Sequence, residues 1–159
     1  MRFGRASSDA WELRDIHPLF AGLLAELPEV AARHRTARAR LYPEPVGADG
    51  DAELQRDWQE HVRPELERHF ASSREVVAGD LSALGRHGPG TRLVIPSAHL
   101  DAWLNALNQA RLILVEENRL GAADLDGGEP PDLATRRGLA LLKVHFYAQL
   151  QEWLVEAAG

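Results

Sequence analysis

Apolar residues return at spacings of three and four along most of this chain, which is the period of a helix that buries one face. The first such stretch, "RDIHPLFAGLLAEL", sets Leu19, Phe20, Leu23, Leu24 and Leu27 in register. Asp15 is its expected N-cap and Pro18 falls in its first turn, where a missing N–H costs little. Pro28 marks a boundary or kink, and "EVAARHRTARARL" is expected to continue as helix. The longest stripe is Leu54, Trp58, Val62, Leu66, Phe70, Val77, Leu81 and Leu84. Pro64 interrupts it. Two readings stay open: one kinked helix, or a short helix ending near Val62 and a second with Pro64 in its first turn. A third helix is expected after Ser97 and is stopped by Gly121, and a last one starts at Pro131 or Asp132. That last helix lines up Leu139, Leu142, Phe146, Leu150, Trp153 and Leu154. Trp58, Trp103 and Trp153 each centre on an apolar face and read as core.

Proline, glycine and aspartate cluster in "YPEPVGADGD", "GRHGPGT" and "AADLDGGEPPD", which separate the helices as loops. "RLVIP" has β-branched character, and Trp11–Leu13 can pair with it as a short strand. The fold class is mainly α: a helical bundle of four to five helices with a short two-stranded element from residues 11–13 and 91–95. Residues 1–159 form a single helical domain, with residues 1–14 a loosely attached N-terminal arm pinned by Phe3, Trp11 and Leu13.

The stretch "AWLNALNQARLIL" carries polar residues among its apolar ones. At about 100° per residue, Leu100, Trp103, Leu107, Ala110 and Leu114 share one arc, and Asn105 lies opposite on the solvated side. Asn108 is at the border. Arg111 projects into the apolar arc between Leu107 and Leu114. A guanidinium placed there needs a carboxylate or several carbonyls from another element. Arg111 is then either a tie between two helices or, with Asn108 in the same network, part of a partner-binding surface.

The composition narrows the chemistry. With 159 residues the chain can bury a core without staples, and it has no cysteine, so thiolate nucleophiles, disulfides and cysteine-ligated metals are excluded. The net charge of −6 argues against nonspecific binding to phosphate backbones. "MRFGRASSDAWEL" has no apolar leader segment, and Leu112–Val115 falls far short of the roughly 20 residues of a spanning helix. The expectation is a cytoplasmic protein with no membrane contact and no cofactor.

Three constellations remain. Arg33, Arg35, Arg38 and Arg40 make a candidate anion or nucleic-acid patch, balanced by Asp49, Asp51, Glu53 and Asp57 in the acidic loop region that follows. Asp57, His61, Glu65 and His69 recur every four residues and contain metal-ligand types, which allows a metal-dependent helical-bundle enzyme using His61, Glu65 and His69. Pro64 disturbs that strip, and neither Glu-x-x-His nor HExxH occurs, so no metal site is assigned. Gly85, Gly88 and Gly90 lack the Lys-Ser/Thr of a phosphate loop and read as a linker.

"AWLNALNQARLIL" preceded by "LVIP" resembles a segment of an AosR-like bacterial family of unknown function, short helical proteins often encoded beside the ClpS adaptor. "RLYPEP", "LQRDWQEHVRPEL" and "HFYAQLQEWLVEA" are similar to its other regions. The resemblance implies a noncatalytic regulatory or adaptor protein, not an enzyme. It would act through protein–protein contacts in stress-responsive transcription, with a sigma factor, polymerase or Clp component as partner. It makes Leu107, Asn108, Arg111 and Leu112 signature positions. Thiol-based redox sensing cannot operate here without cysteine. The alternative is a DNA-binding regulator using Arg33 to Arg40.

Overall fold

The computed structural model describes residues 1–45, 51–85, 91–126 and 130–159. The chain is mainly α with a small antiparallel sheet. Strands β1 (Arg2–Ser7) and β2 (Ala10–Arg14) precede helix α1 (Pro18–Ala32) and a short α2 (Arg38–Leu41). Helix α3 (Ala52–Asp57) runs through a π turn (Trp58–Val62) into α4 (Arg63–Leu81). Strand β3 (Leu93–Pro96), one 3₁₀ turn (Ser97–His99), α5 (Leu100–Asn118), a short α6 (Ala122–Leu125) and α7 (Arg136–Ala158) complete it. The four long helices, α1, α4, α5 and α7, are therefore accompanied by short ones that the apolar period was too brief to register. Among the described residues no helix is long and apolar enough to cross a membrane.

The expected strand pair exists, with Trp11 opposite Ile95 and Leu13 opposite Leu93, but it has a third member. β1 adds on β2's other side, with Phe3 opposite Leu13 and Arg5 opposite Trp11. Residues 1–14 are thus a hairpin of the sheet rather than a loose arm. Period-two alternation puts Phe3, Trp11, Leu13, Leu93 and Ile95 on one face. That face meets Trp103, Leu150 and Leu154. Phe3 stacks between Trp11 and Trp153, with centroid distances of 5.4 and 5.9 Å, and the Arg5 guanidinium sits 4.6 Å from the Trp11 ring.

Helix starts differ from expectation in instructive ways. α1 is capped by His17, whose Nδ1 accepts from the Leu19 N–H at 3.2 Å. Asp15 has a positive φ of 52° and receives Arg2 Nε and NH2 at 3.0 and 2.7 Å instead. Pro28 stays inside α1. It has no N–H for the Leu24 carbonyl, and one residue before that carbonyl the Tyr147 hydroxyl donates to the Leu23 carbonyl at 2.8 Å. α5 ends in a left-handed residue, but that residue is Arg119 (φ 51°), and Gly121 precedes α6. α7 starts at Arg136, with Thr135 Oγ1 accepting from the Gly138 N–H at 3.0 Å. Gly138 permits the close approach of the preceding turn: a Cβ there would lie 1.9 Å from the Asp132 carbonyl oxygen.

α5 is the central element and packs against α1, α4 and α7. Trp103 is fully buried and donates its indole N–H to Asp80 Oδ2 at 2.8 Å, and Asp80 also faces His99 Nδ1 at 3.0 Å. Trp58 and Trp153 are only partly buried, so Trp103 alone is a core centre. The stripe of α3 and α4 is likewise half realised: Val77 is fully buried, whereas Leu54 and Val62 are exposed. The π turn between them carries one more residue per hydrogen-bonded ring, so helical spacing read across it no longer keeps one face. A second, smaller cluster of Ala37, Leu41, Tyr42 and Ile113, with Phe70 and Leu66 against it, anchors the segment between α1 and α3 to α4 and α5.

Candidate anion-binding cleft

Helix does not continue through "RHRTARARL". α1 stops at Ala32, residues 33–37 turn, and α2 winds a single turn. Ala37, Leu41 and Tyr42 are the buried residues of this segment, and they pack with Ile113. The arginines between them are left outside. Across from them, the π turn closes with the Arg63 N–H on the Trp58 carbonyl. Its wider turn accommodates Pro64 and sets Gln59 and Arg63 facing α2, with Arg63 NH1 donating to Gln59 Oε1 at 2.9 Å.

These elements enclose a cleft of about 290 Å³. Its walls carry four guanidinium groups, from Arg35, Arg38, Arg63 and Arg74, and one carboxylate, Glu67. Glu67 is engaged by Arg63 Nε at 3.1 Å. Tyr42 and His34 complete the lining; the Arg63 guanidinium lies 5.7 Å from the Tyr42 ring. An adjoining groove of about 570 Å³ shares Arg35, Arg38, Tyr42 and Arg63 and adds Thr36, Ala39, Gln59 and one carboxylate, Glu44.

The inner end is the most desolvated. Arg74 donates through NH1 to Gln109 Oε1 at 2.8 Å and forms no ion pair among the described residues. Its pKa is lowered, chiefly by burial. His34 is held below the ordinary imidazole range by burial first and by Arg74 second, and its Nδ1 is buried with no partner. Tyr42 is pushed up, again chiefly by burial, so its hydroxyl keeps its proton. Gln109 is 1% exposed and its Nε2 has no partner. Both atoms, His34 Nδ1 and Gln109 Nε2, are closed to solvent, so each stands as an uncompensated polar group behind the cleft wall.

The structure divides the four arginines singled out from the sequence. Arg33 pairs with Glu117 at 3.3 Å and Arg40 with Glu116 at 2.5 Å. Arg35 and Arg38 form no ion pair among the described residues and line the cleft. Of the acidic residues that were to balance the patch, Asp49 lies outside the described residues; Asp51 caps α3 through the Glu53 N–H at 2.8 Å.

Arg111 lies away from the cleft. It donates to Gln151 Oε1 on α7, and Gln151 Nε2 donates to the Leu104 carbonyl at 3.2 Å. This is a tie between α5 and α7 through a neutral amide, not through a carboxylate. Burial lowers the Arg111 pKa, and its Nε is unpartnered. Asn108 is exposed and does not join that network. Asn105 is not simply solvated: its Nδ2 lies 3.0 Å from His69 Nε2.

The histidine strip is not gathered around one point. Glu65 pairs with Arg68 at 2.6 Å, His69 faces Asn105, and His61 lies within the π turn, ahead of both. Among the described residues no group of three His, Cys, Asp or Glu side chains could hold a metal ion. Gly88 and Gly90 of the glycine motif lie outside the described residues.

Sequence reading passed over Arg63, Arg74 and Gln109. A signal existed for the last: Ala106, Gln109 and Ile113 form a second helical stripe beside the apolar arc of α5, and all three are buried. Comparison with curated proteins and with solved structures finds no match. A family model does match, over residues 7–158. By that match, which takes in everything from the tip of the first hairpin to the end of α7, the chain belongs to the family described as a domain of unknown function, DUF2017.

Proposed function

We propose that this chain is a noncatalytic regulatory or adaptor protein, and that it holds an acidic segment of a partner protein in the cleft between α2 and α4. The carrying observation is the charge of that cleft: four guanidinium groups against one carboxylate, in a chain of net charge −6. Arginine forks suit carboxylates and phosphates, and a water-exposed groove leading inward suits an extended chain. The AosR-like resemblance adds the candidates to be tried first, an acidic region of a sigma factor, polymerase or Clp component.

Duplex DNA is the second reading. Glu116 and Glu117 weigh against it, because they sit with Arg40 and Arg33 beside the cleft and would meet a phosphate backbone laid across the patch. Fluorescence anisotropy with a labelled Glu/Asp-rich peptide and with a labelled duplex separates the two. We expect the peptide to bind at physiological salt and to lose at least about tenfold in affinity in the Arg35→Ala/Arg38→Ala variant, the loss expected of two charge-assisted contacts. A peptide that does not bind, or binds the variant equally well, would overturn the reading. Salt-sensitive duplex binding lost in the variant would replace it with the DNA reading.

A further inference from the structure

The inner end of the cleft is over-supplied with donors for a carboxylate. Arg74 is met by a neutral amide and forms no ion pair among the described residues. Arg35 and Arg38 bring two more guanidinium groups, neither in an ion pair among the described residues. A carboxylate carries one charge and about four acceptor positions, which one or two arginine forks exhaust. A phosphate monoester carries a charge of about −1.5 to −2 and three strongly accepting oxygens arranged in three dimensions. Arginines converging from separate elements, α2 and the turn before it on one side and α4 on the other, match the second geometry and not the planar first.

Two further features point the same way. His34 lines the cleft and is kept neutral, and a neutral imidazole still has one N–H to donate. Tyr42 retains its hydroxyl proton and lies in the same lining. Both are donors that need no counter-charge of their own. Glu67 is the one carboxylate in the lining of the cleft itself, and Arg63 already engages it; Glu44 lines the adjoining groove. The cleft of about 290 Å³ holds a tetrahedral anion with room for the atoms that carry it, and the adjoining groove lets that carrier leave as a chain.

From this juxtaposition we infer that the inner end of the cleft, built by Arg74, His34, Arg35, Arg38 and Tyr42, is a phosphate-monoester site, and that the acidic segment the protein holds is phosphorylated. This rests on the protein-binding reading above and narrows it to a chemical group. The unmodified segment reaches Arg35 and Arg38 but leaves Arg74 unanswered. The phosphorylated one puts its dianion against Arg74.

One acidic peptide is to be made in three forms, with Ser, Asp or phosphoserine at a central position, and titrated into the full chain by calorimetry, with inorganic phosphate as a competitor and alone. The expected result is that the phosphoserine form binds at least tenfold tighter than the Asp form. Inorganic phosphate should compete only at millimolar concentration, and His34→Gln should narrow the preference for phosphoserine over the Asp form. Arg74→Gln should remove the preference; because Arg74 is also tied to α5, Arg35→Gln, at an exposed position, serves as the variant whose folding is not in question. Equal binding of the Asp and phosphoserine forms overturns the phosphate inference and leaves the acidic-segment reading standing. Failure of all three peptides overturns both. Inorganic phosphate binding as tightly as the phosphopeptide assigns the site to the free anion and overturns the phosphorylated-segment inference.

Discussion

Arg74 on α4 and Gln109 on α5 hold each other across the helix contact, NH1 to Oε1 at 2.8 Å, with Gln109 sealed from water. Each leaves the other a buried polar group if removed. Gln109→Leu and Arg74→Met should each cost about 1–3 kcal/mol, the penalty for an orphaned buried donor or acceptor. The double variant should cost clearly less than the sum, because no orphan then remains. Urea unfolding of the four proteins measures the coupling; strict additivity would mean the pair is not an interaction.

Arg111 should behave differently. Its only acceptor among the described residues is Gln151, and an apolar side chain of similar length can fill its place. Arg111→Met is expected to fold with a loss below about 2 kcal/mol, and to bind the acidic peptide as the parent does. Loss of binding with unchanged melting would move the site from the cleft to the α5–α7 contact.

Two glycines give opposite outcomes. Gly138→Ala drives a Cβ into the Asp132 backbone, with the nearest atom at 1.9 Å. It should destabilise by more than about 3 kcal/mol or rebuild the start of α7. Gly22 is exposed in α1 with nothing within 4 Å of its missing Cβ. Gly22→Ala should stabilise by about 0.5–1 kcal/mol. Thermal melts of both variants check the pair.

Arg119 supplies the left-handed residue that ends α5, a conformation that costs a non-glycine side chain about 1–2 kcal/mol. Its carbonyl, which accepts from Arg137, survives substitution. Arg119→Gly should therefore raise the melting temperature, by an amount reduced by the added freedom of the unfolded chain.

His34 gives stability a pH dependence of known sign. Burial and Arg74 hold its folded pKa below the ordinary 6.5, with Glu67 opposing more weakly. As pH falls below that ordinary value, the unfolded chain takes up a proton that the folded chain does not, so stability falls until the folded imidazole is also protonated. Urea midpoints measured downward from pH 8 should drop more steeply in the parent than in His34→Gln. Parallel curves would show that His34 titrates alike in both states.

The wheel of α5 could be read from its residues because Leu100, Trp103, Leu107, Ala110 and Leu114 obey one period, and all are buried. Trp11–Leu13 and "RLVIP" could be paired because both are β-branched or aromatic and end at a turn. β1 could not: Arg2, Gly4 and Ser7 carry no alternation, and only Phe3 has a place in the core face. The break after Ala32 was hidden by alanines and arginines, which favour helix locally; tertiary burial of Ala37 and Tyr42 overrides that preference. Half of the cleft was thus visible as Arg35 and Arg38. The other half comes from α4, and nothing local in "ELERHFASSREV" says that Arg74 turns toward α2 rather than toward water.

The π turn at Trp58–Val62 behaves as a spacer of one residue. Deleting a single residue there would restore an unbroken α ladder with α3 and α4 close to their present phase, because the wide turn fits its extra residue into about the angle of one α turn. Leu54 would stay on its exposed face, and what would be lost is the wide turn that carries Gln59 beside Arg63. The count of residues between Tyr42 and Arg63 is therefore a gauge of the turn: a chain one shorter in this span should run as plain α-helix here and keep the same faces on either side.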